Sequence, residues 1–188
     1  MSSLITFIDL FAGMGGFRIA LENNGLECVF SSEWDKYAQQ TYALNFGELP
    51  YGDITNITNE QIPNHDCLCA GFPCQPFSKS GKQKGILDKA RGTLFFDIMQ
   101  IVKAKHPKYL ILENVRNLTG PKHSETWKLI IESIREDGYT VSGIPTILSP
   151  HLNPKVLGGA HQVRDRVFIA ASLNGKNEPL YIEREPYK

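Results

Sequence analysis

Short apolar runs alternate along the chain with stretches in which apolar residues recur every three or four positions, the pattern of strands separated by helices. Leu4 to Leu10 is a β-type run that ends in a glycine-rich turn. From Gly16 onward Phe17, Ala20 and Leu21 recur at helical spacing until Asn23-Asn24-Gly25 stops the helix. Glu27 to Ser31 predicts a second strand, and Asp35 to Phe46 a helix with Tyr37, Ala38, Thr41, Tyr42 and Leu44 available for its inner face. A short third strand is expected near Pro50 to Gly52 and a fourth at Asp66 to Ala70. After a polar, basic loop, Thr93 to Lys105 predicts a helix resting on Leu94, Ile98, Ile101 and Val102. Lys108 to Glu113 reads as a fifth strand buried on both faces. Glu125 to Arg135 is the next helix, ended by Gly138, and Tyr139 to Ser149 and Arg166 to Ser172 are the last two strands. Seven strands with crossover helices predict an α/β fold, a doubly wound and mostly parallel Rossmann-like sheet whose ligands bind at the carboxyl ends of the strands. Residues 1–174 are expected to form the folded domain and 175–188 a polar tail.

Length and composition narrow the class without changing that picture. At roughly 150 residues per domain, 188 residues predict one domain, and 41% apolar with 21% charged residues exclude a disordered or fibrous chain. The longest apolar runs are strand-sized, and Met1-Ser2-Ser3 carries no basic segment ahead of an apolar stretch. Neither a membrane span nor a signal peptide is predicted, and the cytoplasm is the expected location. Twenty basic and 20 acidic residues cancel, so any basic surface is local. Cys28, Cys67, Cys69 and Cys74 include no C-x-x-C pair, which argues against a zinc site and a disulfide framework. No metal is expected.

Candidate chemistry gathers at the ends of the predicted strands. The turn Asp9-Leu10-Phe11-Ala12-Gly13-Met14-Gly15-Gly16 lets backbone approach a ligand ahead of a helix. Its glycine spacing departs from G-x-G-x-x-G, so a carboxylate suits it at least as well as a pyrophosphate. Glu33 ends the second strand, where an acid in this topology binds ribose hydroxyls, Trp34 offers a flat face to a purine, and Asp53 can accept from an exocyclic amine. Singly, each acid also reads as solvated surface. In this order they favour a cofactor that carries a nucleoside. Cys74 stands between Pro73 and Pro76 after the fourth strand, a rigid place from which a thiolate can attack a soft carbon, whereas Cys28, Cys67 and Cys69 read as packing. Glu113 emerges from an apolar run, where desolvation raises a carboxyl's pKa and suits it to donate a proton. Arg164 and Arg166 pair two guanidinium groups suited to a carbonyl or phosphate.

Taken together, Asp9 to Gly16, Gly71-Phe72-Pro73-Cys74-Gln75-Pro76-Phe77-Ser78, Glu113-Asn114-Val115 and Gln162-Val163-Arg164-Asp165-Arg166 resemble, in order, four motifs of the cytosine-C5 DNA methyltransferases of bacterial restriction-modification systems. Glu33-Trp34-Asp35 and Gly81-Lys82-Gln83-Lys84-Gly85 resemble them as well, so the likeness covers nearly the whole chain. It implies S-adenosylmethionine as cofactor, with its methionine part near Gly13, Gly15 and Gly16, its ribose on Glu33, its adenine near Trp34, Asp53 and Ile54, and Phe11, Pro73 and Leu94 lining the same pocket. It further implies double-stranded DNA as substrate, with Cys74 adding to C6 of a flipped-out cytosine, Glu113 holding a proton at N3, and Arg164 and Arg166 holding the base. Gln75, Ser78, Ser80, Asn114 and Gln162 would complete the substrate site. A bacterial cytoplasmic, nucleoid-associated location follows from the same likeness.

The basic stretch Lys79 to Arg91 carries five cations against Asp88 and is expected to close on the DNA backbone. The family pattern continues beyond the Gln-x-Arg-x-Arg motif with a target-recognition region and two more motifs that do not occur in these residues. The expectation is therefore a split enzyme whose second polypeptide supplies them. A catalytically silent fragment or regulatory module, and a tRNA cytosine-C5 methyltransferase, remain open alternatives. A nicotinamide dehydrogenase is disfavoured by the glycine spacing.

Overall fold

The computed structural model describes residues 4–73, 94–149 and 162–173, and the chain divides into two compact units, Met1–Ile111 and Leu112–Lys188. In the first unit, strand β1 (Thr6–Leu10) is central. It pairs in parallel with β2 (Glu27–Ser32) on one side and with β3 (Cys67–Gly71) on the other. A strand flanked on both edges and covered on both faces is expected to be mostly apolar, and Phe7, Ile8 and Leu10 are fully buried, with Asp9 buried among them as the one charged residue type in the strand. Helix α1 (Gly16–Glu22) connects β1 to β2 and ends where the predicted Asn23-Asn24-Gly25 stop lies, with Gly25 in the left-handed region. Phe17, Leu21, Leu26, Cys28 and Ile111 pack on the cluster of Phe7, Cys67 and Cys69. Cys67 and Cys69 are buried free thiols, as expected of packing cysteines, and Cys28 is half-buried.

Helix α2 (Lys36–Phe46) starts at Asp35, whose carboxylate accepts from the Tyr37 and Ala38 amides at 3.0 and 2.8 Å, and stops at Gly47. Its inner face differs from the predicted one. Tyr42 is fully buried, but Tyr37 and Leu44 are 79% and 88% exposed. The helix is short of apolar residues, and its inward stripe runs through half-buried Ala38, buried Tyr42 and half-buried Phe46 at i, i+4, i+8. The third strand predicted near Pro50 to Gly52 reduces to one parallel bridge between Ser32 and Tyr51. Turns of 3-10 helix follow at Ile54–Asn56 and Asn59–Gln61, and helix α3 (Leu94–Lys105) packs on both, burying Phe95, Ile98, Met99, Ile101 and Val102. Strand β4 (Tyr109–Val115) is the neighbour of β3, giving the order β2-β1-β3-β4.

Strand β4 runs on into the second unit, where β7 (Arg166–Leu173) lies beside it. The expectation that β4 is buried on both faces fails. Leu110, Leu112 and Asn114 are buried, Ile111 and Glu113 only partly, and Tyr109 and Val115 are exposed. This alternation places Glu113 on the more open face, which matters for its chemistry. Helix α4 (Ser124–Glu136) buries Ile130, Ile131 and Ile134. The strand predicted over Tyr139 to Ser149 is two, β5 (Tyr139–Val141) and β6 (Thr146–Leu148), both antiparallel to β7. Pro145 has no amide hydrogen for the ladder, and with Gly143 it breaks the run. Trp127 and Arg135 of α4 hold that turn by donating to the Gly143 and Val141 carbonyls, each at 3.1 Å. The α/β class stands; among the described residues the sheet has seven strands, the number predicted only because one predicted strand is lost and another is two, and it is mixed rather than mostly parallel.

Candidate functional site

In the first unit, the residues after β1 are held in unusual backbone. Phe11, Gly13 and Gly15 have φ of 58°, 57° and 91°. For Phe11 this conformation is strained, and strain of that kind concentrates at functional sites. It is fixed by the Ala12 amide donating to the Ser32 carbonyl at 2.9 Å and the Gly15 amide donating to the Ala12 carbonyl at 2.8 Å. Gly15 has a second reason to be glycine, because a Cβ there would lie 2.1 Å from the Phe46 ring. That ring is in turn held by Tyr42, with centroids 4.5 Å apart, and by the Arg18 guanidinium 4.5 Å from its centroid. Arg18 also donates to Tyr42 Oη at 3.0 Å and pairs with Glu22 and Glu48. Among the described residues, and apart from their own chain neighbours and the helix's own backbone, nothing lies within 4 Å of the Cβ positions of Gly13 and Gly16.

Glu33, buried at the end of β2, ties the turn to the second strand. Its Oε2 accepts from the Gly13 amide and its Oε1 from the Asp35 amide, both at 2.8 Å. An ionised carboxylate has about four acceptor positions, so each oxygen can still take a ligand hydroxyl. The Glu33 amide donates to the Tyr51 carbonyl at 2.8 Å, which is what the single bridge near Pro50 to Gly52 accomplishes. Trp34 follows, 73% exposed. Asp53 accepts from Thr55 through Oδ1 alone, capping the turn in which Ile54 is buried. Leu94, half-buried, opens the helix that packs on that turn, and Pro73 is exposed just beyond β3. Gly13 and Glu33 are thus brought into contact.

Asp9 is a residue that sequence reasoning passed over. It is fully buried, and among the described residues neither carboxylate oxygen reaches a hydrogen-bond partner. Burial pushes its pKa up to about 7, helped by the nearby charge of Glu33 and opposed by the amide and charge of Arg18. Arg18 and Phe46 were passed over too, although Tyr42 and Phe46, four apart on one helix, signal a shared face.

The second unit holds a separate group. Glu113 Oε1 lies 2.6 Å from Arg166 Nε. Burial raises the Glu113 carboxyl above its usual range, although the charges of Arg166 and Arg164 and the Arg166 hydrogen bond pull the other way. Asn114 is buried, and its Oδ1 accepts from the Val115 amide at 2.8 Å. Arg116 Nη1 donates to Asp165 Oδ2 at 2.6 Å. Gln162 and Arg164 are exposed ahead of β7. Glu113 and Arg166 therefore meet, with Arg164 close enough to act on the same carboxyl. Cys74, Gln75, Ser78, Ser80, the basic loop from Lys79 to Arg91 and the tail 175–188 lie outside the described residues. Among the described residues no cluster of metal-binding side chains occurs, and no helix is long and apolar enough to cross a membrane.

A family model described as C-5 cytosine-specific DNA methylase matches residues 5–187. The chain belongs to this family. It is 49% identical over 188 residues to Type II methyltransferase M.HhaI of Haemophilus parahaemolyticus, covering 98% of this chain and 54% of that protein. It is 54% identical over 178 residues to Type II methyltransferase M.NgoBI of Neisseria gonorrhoeae, covering 93% and 52%. The chain thus spans about half the length of the curated relatives it matches. Among solved structures, a Spodoptera frugiperda DNMT2 mutant superposes with a TM-score of 0.72 at 25% identity, covering 96% of this chain and 54% of that one. A putative DNA modification methyltransferase encoded in an Escherichia coli prophage superposes with a TM-score of 0.70 at 21% identity, covering 96% and 52%, which supports the fold. S-adenosylmethionine is the methyl donor of this family.

Proposed function

We propose that this chain carries the cofactor and base-activating machinery of a DNA cytosine-C5 methyltransferase. The observation that carries the reading is Glu113, a carboxyl raised by burial, held by Arg166 at 2.6 Å and set on the open face of β4. A carboxyl raised in this way is suited to hold a proton at a ring nitrogen. The first unit fits the cofactor: Glu33 has acceptor positions left for a ribose diol, Trp34 presents a free ring face to adenine, Asp53 and Ile54 frame its edge, and the space beside Gly13 and Gly16 admits a methionine moiety. Bound S-adenosylmethionine would supply an electrophilic methyl group. Phe11, Gly15, Pro73 and Leu94 belong to the same proposed pocket.

The chain's residues have to make cytosine C5 nucleophilic. Cys74 thiolate forms a bond to C6 while Glu113 places its proton on N3, so the ring's electrons move toward C5 without a full negative charge developing on it. After methylation a water molecule takes the C5 proton as the Cys74–C6 bond breaks, returning the thiolate, and the N3 proton goes back to Glu113. Arg164 and Arg166 hold the base and adjacent phosphate, and Gln75, Ser78, Ser80, Asn114 and Gln162 complete the substrate site. C6 is shielded inside a duplex, so the reading requires the base to be flipped out. Reading of the target sequence is assigned to the portion of the relatives that the matched half does not cover, supplied by a second polypeptide in the split-enzyme form of the proposal.

The test is transfer of a labelled methyl group from S-adenosylmethionine to duplex DNA and to tRNA by the purified chain, alone and with extract of its source cells, with Cys74→Ser in parallel. Transfer to DNA that the variant abolishes is the expected result, and its dependence on extract would support the split form. Preference for tRNA, or equal transfer by the variant, would overturn the proposal.

A further inference from the structure

Two ion pairs of opposite polarity join the end of β4 to the start of β7. In one the acid lies on β4 and the base on β7, with Arg166 Nε 2.6 Å from Glu113 Oε1. In the other the base follows β4 and the acid precedes β7, with Arg116 Nη1 2.6 Å from Asp165 Oδ2. Arg166 also donates through Nη1 to the Asp165 carbonyl at 2.9 Å, so the two pairs share one stretch of backbone. The Asp165 side chain is 17% exposed and that of Arg116 61%. A carboxylate so covered needs a cation, whereas the pair's own worth to stability is small because its arginine is solvated. What the pair can fix is position. Asp165 stands between Arg164 and Arg166 in sequence, so tethering it limits where both guanidinium groups can go. Among the described residues no carboxylate lies within ion-pairing distance of Arg164, which leaves that cation to act on Glu113 and on whatever Glu113 faces.

We propose that Arg116 and Asp165 are a positioning pair for the methyl-transfer reaction, locking the Arg164–Arg166 segment against the strand that carries Glu113. The proposal rests on the reading given under Proposed function. Neither residue touches the reacting atoms. Each acts through the arginines beside it, and a displacement of about 1 Å at such groups can cost on the order of a hundredfold in rate.

The test uses the full chain, with source-cell extract where transfer requires it, and compares Arg116→Gln, Asp165→Asn, the double variant, and the exchanged pair Arg116→Asp with Asp165→Arg. Each single variant is expected to lower kcat about tenfold, with KM for S-adenosylmethionine changed less than about twofold. The double variant should be no worse than the poorer single, and the exchanged pair should recover most of the loss, because one shared contact is lost and then restored. Single variants within about twofold of the parent kcat, a double variant that falls by the product of both losses, or an exchanged pair no better than the singles would each overturn it.

A readout independent of activity is the nitrogen-15 resonance of Arg166 Nε. Its hydrogen-bonded, slowly exchanging signal should persist in the parent and the exchanged pair and disappear in Arg116→Gln; persistence in that variant overturns the proposal. If no form transfers methyl to DNA, the functional reading fails while this signal still decides the positioning pair.

Discussion

Asp9 makes the stability of the fold fall as pH rises, and Asp9→Asn should remove that dependence. A carboxyl ordinarily near 4 is pushed up to about 7 in the folded chain. Between those values the folded state keeps a proton that the unfolded state has released, so raising the pH favours unfolding. The contribution is complete below the unfolded pKa and is lost as pH rises through the folded one. About three pKa units at about 1.4 kcal/mol each gives roughly 4 kcal/mol across the whole window, of which roughly 2.7 kcal/mol falls between pH 5 and 8. Asparagine has the shape of the protonated acid and cannot ionise, so the variant lacks this slope. The assay is urea unfolding of the parent and Asp9→Asn at pH 5, 6, 7 and 8, read as the difference in unfolding free energy at each pH. Other titrating groups, such as the buried His65, are common to both proteins and cancel. The variant should gain on the parent steadily as pH rises, and the gain should level off above about pH 7. A difference that stays constant from pH 5 to 8 would show that Asp9 ionises as an ordinary carboxylate and would refute the reasoning from its unpartnered burial.

Gly15→Ala should destabilise the chain by roughly 3 kcal/mol, from a φ of 91° that alanine resists and from the methyl meeting the Phe46 ring; a urea-unfolding loss below about 0.5 kcal/mol would contradict it. Trp34→Ala should weaken S-adenosylmethionine binding about tenfold by calorimetry while leaving the unfolding midpoint unchanged, since the ring is exposed and packs on little. Glu113→Gln should slow methyl transfer on the order of a hundredfold. In the parent, the rate should drop as pH rises through the raised Glu113 pKa, because the proposed mechanism uses the protonated acid, and a pH–rate profile of the variant should lack that limb.

Periodicity made the strands legible wherever burial was complete. β1, β3 and the helix α3 stand where their apolar runs lie, because a central strand or a helix pressed on other elements has no polar face to blur its pattern. It failed where burial was partial. Tyr37 and Leu44 have the spacing of an inner face but are exposed, since α2 is anchored by Tyr42 and Phe46 instead. The break between β5 and β6 was written in Gly143 and Pro145, yet the antiparallel direction of both against β7 is a property of pairing that no local pattern contains. The site was legible as residue types at strand ends, so Glu33, Glu113 and Arg166 were singled out, but that Glu33 would take the Gly13 amide and Arg166 would pair with Glu113 was not. Contacts between residues far apart in sequence, such as Arg18 with Phe46 or Arg116 with Asp165, carry no local signal.

Asp9, Glu33 and Glu113 occupy similar places in the sequence, each near the carboxyl end of an apolar strand, and the structure gives them three different environments. Asp9 has no hydrogen-bond partner among the described residues, and burial pushes its pKa up to about 7. Glu33 receives two backbone amides, which fix its direction and leave acceptor positions for hydroxyl groups. Glu113 receives a guanidinium but stays raised, because burial outweighs the cation. Strand position therefore brings an acid to a strand end, and the donors waiting there set its environment, from which the proposed function takes Glu33 as a binder of hydroxyls and Glu113 as a holder of protons. Glu113 combines a carboxyl raised by burial with a side chain left partly open, and on that ground the proposed function gives it the proton-holding role.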